Sequence, residues 1–206
     1  MQHKKAATIR VIIFDLGKVI VDFDHFVICR RLSRYCTFSP NEIYRRIFTS
    51  GLEAQFDEGS LTTYKFIINI KKQLQFNITM DEFKMIWNRI FKLNPGIAQL
   101  IKSLRINYRL LCLSNTNMLH FEYCMKKFTL LQYFDDFILS YKIGKRKPHC
   151  KIFKTALTKA HYPAHACLYI DDMAEYVKTA EAMGMKAIHF KSVQQLKKQL
   201  KIYLAD

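Results

Sequence analysis

The chain has 206 residues, 50% of them hydrophobic and only four of them proline, which suits one globular domain or a core with a modest insertion. Lys and Arg number 33 against 17 Asp and Glu, and the formal charge of +16 favours anionic ligands. No apolar run approaches the roughly 20 residues that span a bilayer. The basic N-terminus, residues 1–5, lacks the features of a signal peptide, so we expect a cytoplasmic protein without membrane association.

The basic residues are spread in small groups along the chain, which disfavours a dedicated nucleic-acid-binding tail but leaves non-specific polyanion binding open. The cysteines show no zinc-ligand spacing, and two of them lie within apolar runs, so we expect reduced, structural thiols. The six cysteines are Cys29, Cys36, Cys112, Cys124, Cys150 and Cys167.

The first predicted element is a strand over residues 9–14, a run of Val, Ile and Phe that ends at Asp15. Such a run is typical of a strand buried on both faces in a parallel sheet. Gly17 allows a tight turn immediately after it. Because ligands bind at the carboxyl ends of strands in such sheets, Asp15 is a candidate nucleophile and metal ligand.

Residues 25–92 show helical rather than strand periodicity. Ser39-Pro40-Asn41-Glu42 is a helix start, and further helices are predicted over residues 61–74 and 81–91. The segment is interpreted as an all-helical insertion, either a second helical layer or a lid over a site. The predicted division is therefore a core of residues 1–24 and 93–206 with a domain of residues 25–92 inserted into it.

After residue 93 the pattern alternates between helices and short apolar strands. Strands are predicted over residues 109–113, 134–140, 166–170 and 186–190, and helices over residues 97–104, 118–128, 151–160 and 174–183. This alternation predicts an α/β fold, a Rossmann-like parallel sheet flanked by helices and joined by right-handed crossovers.

Polar side chains cluster where these strands end and in one loop. Asp15, Ser114-Asn115 and Asp171-Asp172 each follow a strand, and Lys147 lies in a cationic loop. If the strands are neighbours, the carboxylates converge and need a cation, and hard oxygen ligands suit Mg²⁺. A lysine and a serine–asparagine pair suit a phosphoryl group, and a carboxylate nucleophile can form an aspartyl-phosphate.

Four motifs in this order resemble the haloacid dehalogenase superfamily of hydrolases over nearly the whole chain. The first motif, which reads Asp-Leu-Gly-x-Val, is most similar to that of bacterial sugar-phosphate phosphatases such as glucose-1-phosphatase. The motifs are Phe14-Asp15-Leu16-Gly17-Lys18-Val19, Leu113-Ser114-Asn115-Thr116-Asn117, Arg146-Lys147-Pro148 and Ile170-Asp171-Asp172.

The resemblance implies a Mg²⁺-dependent phosphatase acting on a small phosphorylated metabolite, perhaps a sugar phosphate. Asp15 would be the nucleophile and also a Mg²⁺ ligand, and the backbone carbonyl of Gly17 would be a second ligand. Asp172 would bind the metal directly, and Asp171 would help directly or through water.

By the same resemblance, Ser114 and Asn115 would hold the phosphoryl oxygens. Lys147 would be catalytic by offsetting charge on the nucleophile and on the transferring group. Residues 25–92 would be a mobile cap that selects substrate and excludes water. Family members include monomers and homodimers, and the sequence does not distinguish the two.

Gly17 is a departure from the pattern of most phosphatases in the superfamily, which carry a second aspartate there as general acid and base. General acid–base help is worth typically 10²–10⁴-fold, so modest turnover is expected. Glycine also occupies this position in the similar sugar-phosphatase branch. Lys18, Asp22 or a metal-bound water could substitute.

Other polar residues are interpreted as structural. Asp22 and Asp24 are placed as caps of the first inserted helix, and Phe56-Asp57-Glu58-Gly59 is interpreted as a turn between helices. The histidines show no metal-ligand spacing and are assigned surface or packing roles; among them are His25, His120, His149 and His189.

Two other functions stay open. A 2-haloacid dehalogenase would use the same aspartate without metal, although the Asp171-Asp172 pair disfavours it. A catalytically attenuated relative could instead bind nucleic acid or another polyanion through a basic surface, for which Gly17 and the +16 charge are the support.

Overall fold

The computed structural model describes residues 8–204, so the basic segment at residues 1–5 lies outside the described part. Within residues 8–204 the chain forms seven strands and eleven α-helices. The strands are β1 Val11–Phe14, β2 Val21–Asp22, β3 Lys92–Leu93, β4 Arg109–Ser114, β5 Asp136–Leu139, β6 Cys167–Asp171 and β7 Lys186–His189. The helices are α1 His25–Leu32, α2 Pro40–Tyr44, α3 Leu52–Asp57, α4 Thr63–Leu74, α5 Met80–Asn88, α6 Ile97–Leu104, α7 Met118–Lys127, α8 Ser140–Ile143, α9 Cys150–Ala160, α10 Ala174–Ala182 and α11 Val193–Tyr203.

Five strands form one parallel sheet in the order β5-β4-β1-β6-β7, which confirms the predicted α/β architecture. β1 is central, with Phe14 opposite Cys112 of β4 and opposite Ile170 of β6. The three strands that precede the polar motifs are therefore adjacent and end at the same edge of the sheet.

The buried character of β1 follows from helices on both faces of the sheet. Ile12 and Phe14 point into one hydrophobic cluster, and Val11 and Ile13 point into the other. All four side chains are fully buried, which explains the continuous rather than alternating apolar pattern. The first of these clusters continues without a break into the inserted helices, where it includes Trp87.

Helices α1 to α5 form the expected helical insertion. Its two ends are tied together by a short antiparallel ribbon of β2 and β3, in which Val21 pairs with Leu93. Asp24 caps α1 by accepting from the Phe26 amide, as expected, and Ser39 begins α2 with a complete capping box. Each of these caps satisfies an otherwise unpaired amide at a helix start.

Some elements were not anticipated from the sequence. The two-residue strands β2 and β3 are too short to show a period. Helices α3 and α11 were also missed, although Leu196 and Leu200 bury one face of α11 at the i, i+4 spacing. All six cysteines lie in residues 8–204 and are free thiols, as expected. No helix within those residues is long and apolar enough to cross a membrane.

Candidate active site

A cavity of about 340 Å³ lies at the carboxyl ends of β1, β4 and β6, between the sheet and the inserted helices. This volume is at the small end of the range for ligand pockets in proteins, about 300–1,000 Å³. All of the sequence-predicted site residues except Asp171 line it. Those that do are Asp15, Gly17, Ser114, Asn115, Lys147 and Asp172.

Asp15 is 7% exposed, immediately beyond the end of β1. Its Oδ1 accepts from the Leu16 amide at 2.7 Å and pairs with Lys147 Nζ at 2.9 Å. The pKa of Asp15 is raised to about 7, because the effects of burial and of the Asp171 and Asp172 carboxylates outweigh the opposing effect of Lys147. The ionised form of Asp15 therefore needs more positive charge than Lys147 alone provides.

Lys147 lies between two carboxylates and is 3% exposed. Its Nζ donates to Asp171 Oδ2 at 2.7 Å and to the Leu113 carbonyl at 3.3 Å, in addition to its contact with Asp15. Burial acts to lower the pKa of Lys147, but attraction to Asp15 and Asp171 outweighs it and holds the pKa above its ordinary value. Lys147 is therefore held in its charged form at neutral pH.

The two consecutive aspartates after β6 have different surroundings. Asp171 is fully buried, and its carboxylate accepts from the Tyr169 hydroxyl and from the Met173 amide as well as from Lys147. Asp172 is half-buried and lines the cavity, and its backbone carbonyl accepts from His189 Nε2 at 2.8 Å. Asp171 thus holds Lys147 in place, while the Asp172 carboxylate faces the cavity.

The donor set fits a hard divalent cation. Oxygen atoms of Asp15, Asp171 and Asp172 lie within 4.8 Å of one another. Burial and the neighbouring Asp171 raise the pKa of Asp172, as they do that of Asp15, so a cation would relieve repulsion that is present without it. Carboxylate and carbonyl oxygens are the ligands that Mg²⁺ prefers. The Gly17 carbonyl, which accepts from the Val19 amide, borders the same cavity.

Ser114 is the last residue of β4 and Asn115 follows it, on the side of β1 away from β6. The Asn115 side chain forms a reciprocal pair with the Lys147 backbone, in which Lys147 N donates to Oδ1 at 2.7 Å and Nδ2 donates to the Lys147 carbonyl at 3.1 Å. The amide of Asn115 therefore fixes the lysine loop against β4. The Ser114 hydroxyl makes one long contact, 3.3 Å to the Asn115 carbonyl.

The space that a side chain at position 17 would need is already filled. A Cβ added to Gly17 would lie 2.8 Å from Cε1 of Phe23. The two side chains considered as substitutes for a second aspartate are engaged with each other at the surface, since Lys18 Nζ pairs with Asp22 Oδ1 at 2.6 Å. Neither side chain is therefore free of a partner, although Lys18 also lines the cavity.

We expect Gly17→Asp to lower the free energy of unfolding by about 1–3 kcal/mol, because the new side chain overpacks against Phe23. Urea unfolding at pH 7 measures this loss. The companion variant Gly17→Asp with Phe23→Leu removes the clash, and the double-mutant cycle should show a coupling that restores part of the stability. A single variant as stable as the parent would contradict this explanation of the glycine.

Four further polar residues line the cavity: His25, Asp57 and His120, which the sequence interpretation had assigned to structure, and Glu53, which it had not singled out; all but His120, on α7, come from the inserted helices. Glu53 and Asp57 lie one turn apart on α3. The only local indication in the sequence that Glu53 and Asp57 line a site is their i, i+4 spacing on α3. That spacing does not reveal which way the helix faces.

Residues 56–59 end α3 and turn toward α4, as predicted, and Asp57 is in addition part of a hydrogen-bond network. Asn117 caps α7 through Oδ1, and its Nδ2 donates to Asp57 Oδ1 at 3.0 Å. The same Nδ2 contacts His120 Nδ1, while His120 Nε2 donates to the Trp87 carbonyl. Gly59 lies so close to the Tyr141 carbonyl that a Cβ there would overlap it. These contacts hold the insertion against the sheet domain beside the cavity.

Comparison with known proteins identifies the class of this fold and site. The sequence profile of the family described as haloacid dehalogenase-like hydrolase matches residues 12–190. The chain therefore belongs to the haloacid dehalogenase-like hydrolase family.

Individual relatives are similar over nearly their whole length. A D-ribitol-5-phosphate phosphatase of Bacteroides thetaiotaomicron is 25% identical, and the match covers 95% of this chain and 98% of the relative. A haloacid dehalogenase-like family hydrolase of Porphyromonas gingivalis is 25% identical with a TM-score of 0.84, covering 97% and 100%. A haloacid dehalogenase family enzyme of B. thetaiotaomicron, solved with magnesium and inorganic phosphate, has a TM-score of 0.81 at 23% identity, covering 90% and 96%.

Proposed function

We propose that this protein is a Mg²⁺-dependent phosphatase that hydrolyses a small phosphorylated metabolite through an aspartyl-phosphate on Asp15. The observation that carries the proposal is the environment of the Asp15 carboxylate at the cavity floor. Oδ1 is held by Leu16 N and Lys147 Nζ. Oδ2 would then be the oxygen that attacks phosphorus, because the two hydrogen bonds to Oδ1 fix the orientation of the carboxylate.

Mg²⁺ would be held by Asp15, by Asp172 and by the carbonyl of Gly17, with Asp171 contributing through water or through Lys147. When bound, the ion supplies positive charge to the phosphoryl oxygens and to the crowded carboxylates. The similar B. thetaiotaomicron enzyme solved with magnesium and inorganic phosphate supports this cofactor.

The phosphoryl group would be bound by the Ser114 hydroxyl, by Asn115 and by the Lys147 ammonium. The Lys147 ammonium group is held by Asp171, and its backbone is held by the reciprocal pair with Asn115. Little rearrangement of Lys147 would therefore accompany the reaction. Residues 25–92 would act as the cap and exclude water from the site, because His25, Glu53 and Asp57 of their helices line the cavity.

A polyol phosphate or sugar phosphate is the substrate class that we favour. The D-ribitol-5-phosphate phosphatase that resembles this chain over 95% of its length supports the choice. The cavity of about 340 Å³ suits a small metabolite, and the carboxyl and imidazole groups of Glu53, Asp57 and His25 offer hydrogen bonds to hydroxyls.

Phosphate release from a panel of phosphometabolites, with Mg²⁺ and then with EDTA, tests the proposal. The panel includes D-ribitol 5-phosphate and glucose 1-phosphate, and 2-chloropropionate is assayed in parallel for chloride release. We expect Mg²⁺-dependent phosphate release from at least one polyol or sugar phosphate. Chloride release that persists in EDTA would favour a dehalogenase instead. Steeply salt-dependent DNA binding without turnover would favour a polyanion-binding relative.

A further inference from the structure

Phosphate ester hydrolysis leaves one chemical requirement that the residues around Asp15 do not meet. When the bond from phosphorus to the ester oxygen breaks, an alkoxide of a sugar or polyol is a poor leaving group and needs a proton. Position 17 is glycine, and Phe23 fills the space beside it. Lys147 is a cation locked between two carboxylates and holds its proton too tightly to give it away.

The wall of the cavity above Phe23 carries a pair of partly buried titratable side chains, His25 and Glu53, to which no proton transfer has been assigned. The His25 ring packs on the Phe23 ring with 4.9 Å between centroids. His25 Nε2 lies 3.5 Å from Oε1 of Glu53, and both residues line the cavity. The Glu53 side chain is 13% exposed and the His25 side chain 23%. The pair thus faces the same cavity as Asp15, next to the ring that displaces a side chain at position 17.

Around Glu53, the charged and titratable neighbours are His25, Asp57 and Arg146. The pKa of Glu53 is raised to about 8, because burial and the neighbouring Asp57 outweigh the opposing effect of Arg146. Burial lowers the pKa of His25 to about 4, against an opposing effect of Asp24. At neutral pH these pKa values place a proton on the Glu53 carboxyl group and leave the His25 imidazole uncharged. A general acid must hold such a proton before it reacts.

We propose that Glu53, positioned by His25, is the general acid that protonates the leaving-group oxygen in this enzyme. The inference rests on the proposed phosphatase function and adds a catalytic residue to it from the inserted helices.

Hydrolysis of the phosphate ester takes place in two steps. Asp15 Oδ2 forms a bond to phosphorus while the bond from phosphorus to the ester oxygen breaks, and the electron pair stays on that oxygen. The Glu53 carboxyl proton moves to it, which releases an alcohol and leaves Glu53 as a carboxylate. Water then attacks the aspartyl-phosphate, Glu53 accepts a proton from that water, and inorganic phosphate and free Asp15 are regenerated.

The role of Glu53 as general acid is tested by assaying the Glu53→Gln variant on two substrates whose leaving groups differ in their need for a proton. For the best alkyl phosphate of the panel, kcat/KM should fall about 100-fold, whereas for p-nitrophenyl phosphate, whose leaving group needs no proton, it should change by about threefold or less. A burst of p-nitrophenol equal to the enzyme concentration should precede slow steady-state turnover, because Glu53 is also absent as the base for the second step. Retained activity on p-nitrophenyl phosphate also shows that the variant is folded.

The matched control is Glu58→Gln, which makes the same change at the end of the same helix in a residue that does not line the cavity, and it should leave both substrates unaffected. Equal losses on both substrates, or no loss on either, would overturn the role of Glu53 while leaving the phosphatase intact. An unmodified protein without Mg²⁺-dependent turnover on any substrate would instead overturn the proposed function itself.

Discussion

Replacing Asp15 by Asn should reduce kcat/KM for Mg²⁺-dependent phosphate release by about 10⁴-fold or more, since no covalent intermediate can form without the carboxylate nucleophile. Asn preserves the size of the side chain and can still accept from the Leu16 amide and Lys147. The fold should therefore survive, and circular dichroism and thermal unfolding verify it. Phosphate release from the preferred substrate of the panel gives the rate.

The matched control for this change is Asp81→Asn, since the Asp81 side chain is 90% exposed in the first turn of α5 and remote from the cavity. It should keep the parent's rate. An Asp15→Asn protein as active as this control would remove Asp15 from the mechanism, and with it the proposed aspartyl-phosphate. A variant that is inactive but unfolded is excluded by the same thermal measurement.

Replacing Lys147 by Met should lower the free energy of unfolding by about 3 kcal/mol, because it leaves the Asp15 and Asp171 carboxylates buried without their shared cation. The loss is expected to be smaller in Mg²⁺, since an ion that binds only the folded state stabilises it and supplies positive charge to the same carboxylates. Urea unfolding at pH 7.5, with and without Mg²⁺, measures both effects. Turnover should fall with the loss of charge against the phosphoryl group.

Lys159→Met provides the comparison, since Lys159 pairs with Asp136 at the same 2.7 Å but with both side chains about a third exposed. A solvated pair of this kind is worth about 0–1 kcal/mol. Equal destabilisation by the two variants would mean that burial adds nothing to the Lys147 pairing. The electrostatic account of the site would then be wrong.

The Asp15 and Lys147 variants probe two different properties of the site. The Asp15 variant tests chemistry at a single oxygen, whereas the Lys147 variant tests the charge balance of the whole cavity. Because Asp171 accepts from Lys147, from Tyr169 and from Met173 N, its part in that balance is to fix the ammonium. Metal binding in an Asp171→Asn protein would therefore be weakened less than in an Asp172→Asn protein.

Most strands of the sheet domain could be predicted from the amino-acid sequence. The apolar runs that become β1, β4, β6 and β7 are local signals, since a strand buried on both faces needs apolar side chains at consecutive positions. Asp15, Ser114 and Asp171 stand at the ends of those strands, and parallel strands bring such residues to one edge. The class of fold and the placing of the polar motifs therefore followed from the sequence pattern, and the hydrolase family followed from the resemblance of the four motifs.

Only the tertiary structure decided what surrounds those residues. The sequence could not show that Phe23 occupies the space at Gly17, that Asn115 is bonded to the Lys147 backbone, or that Glu53 and His25 meet over the cavity. The reason is physical: which face of α1 and α3 turns toward the site depends on how the inserted helices pack, and that packing joins residues far apart in the chain. Burial, and with it the raised pKa of Glu53 and of Asp15, arises only once this packing has formed.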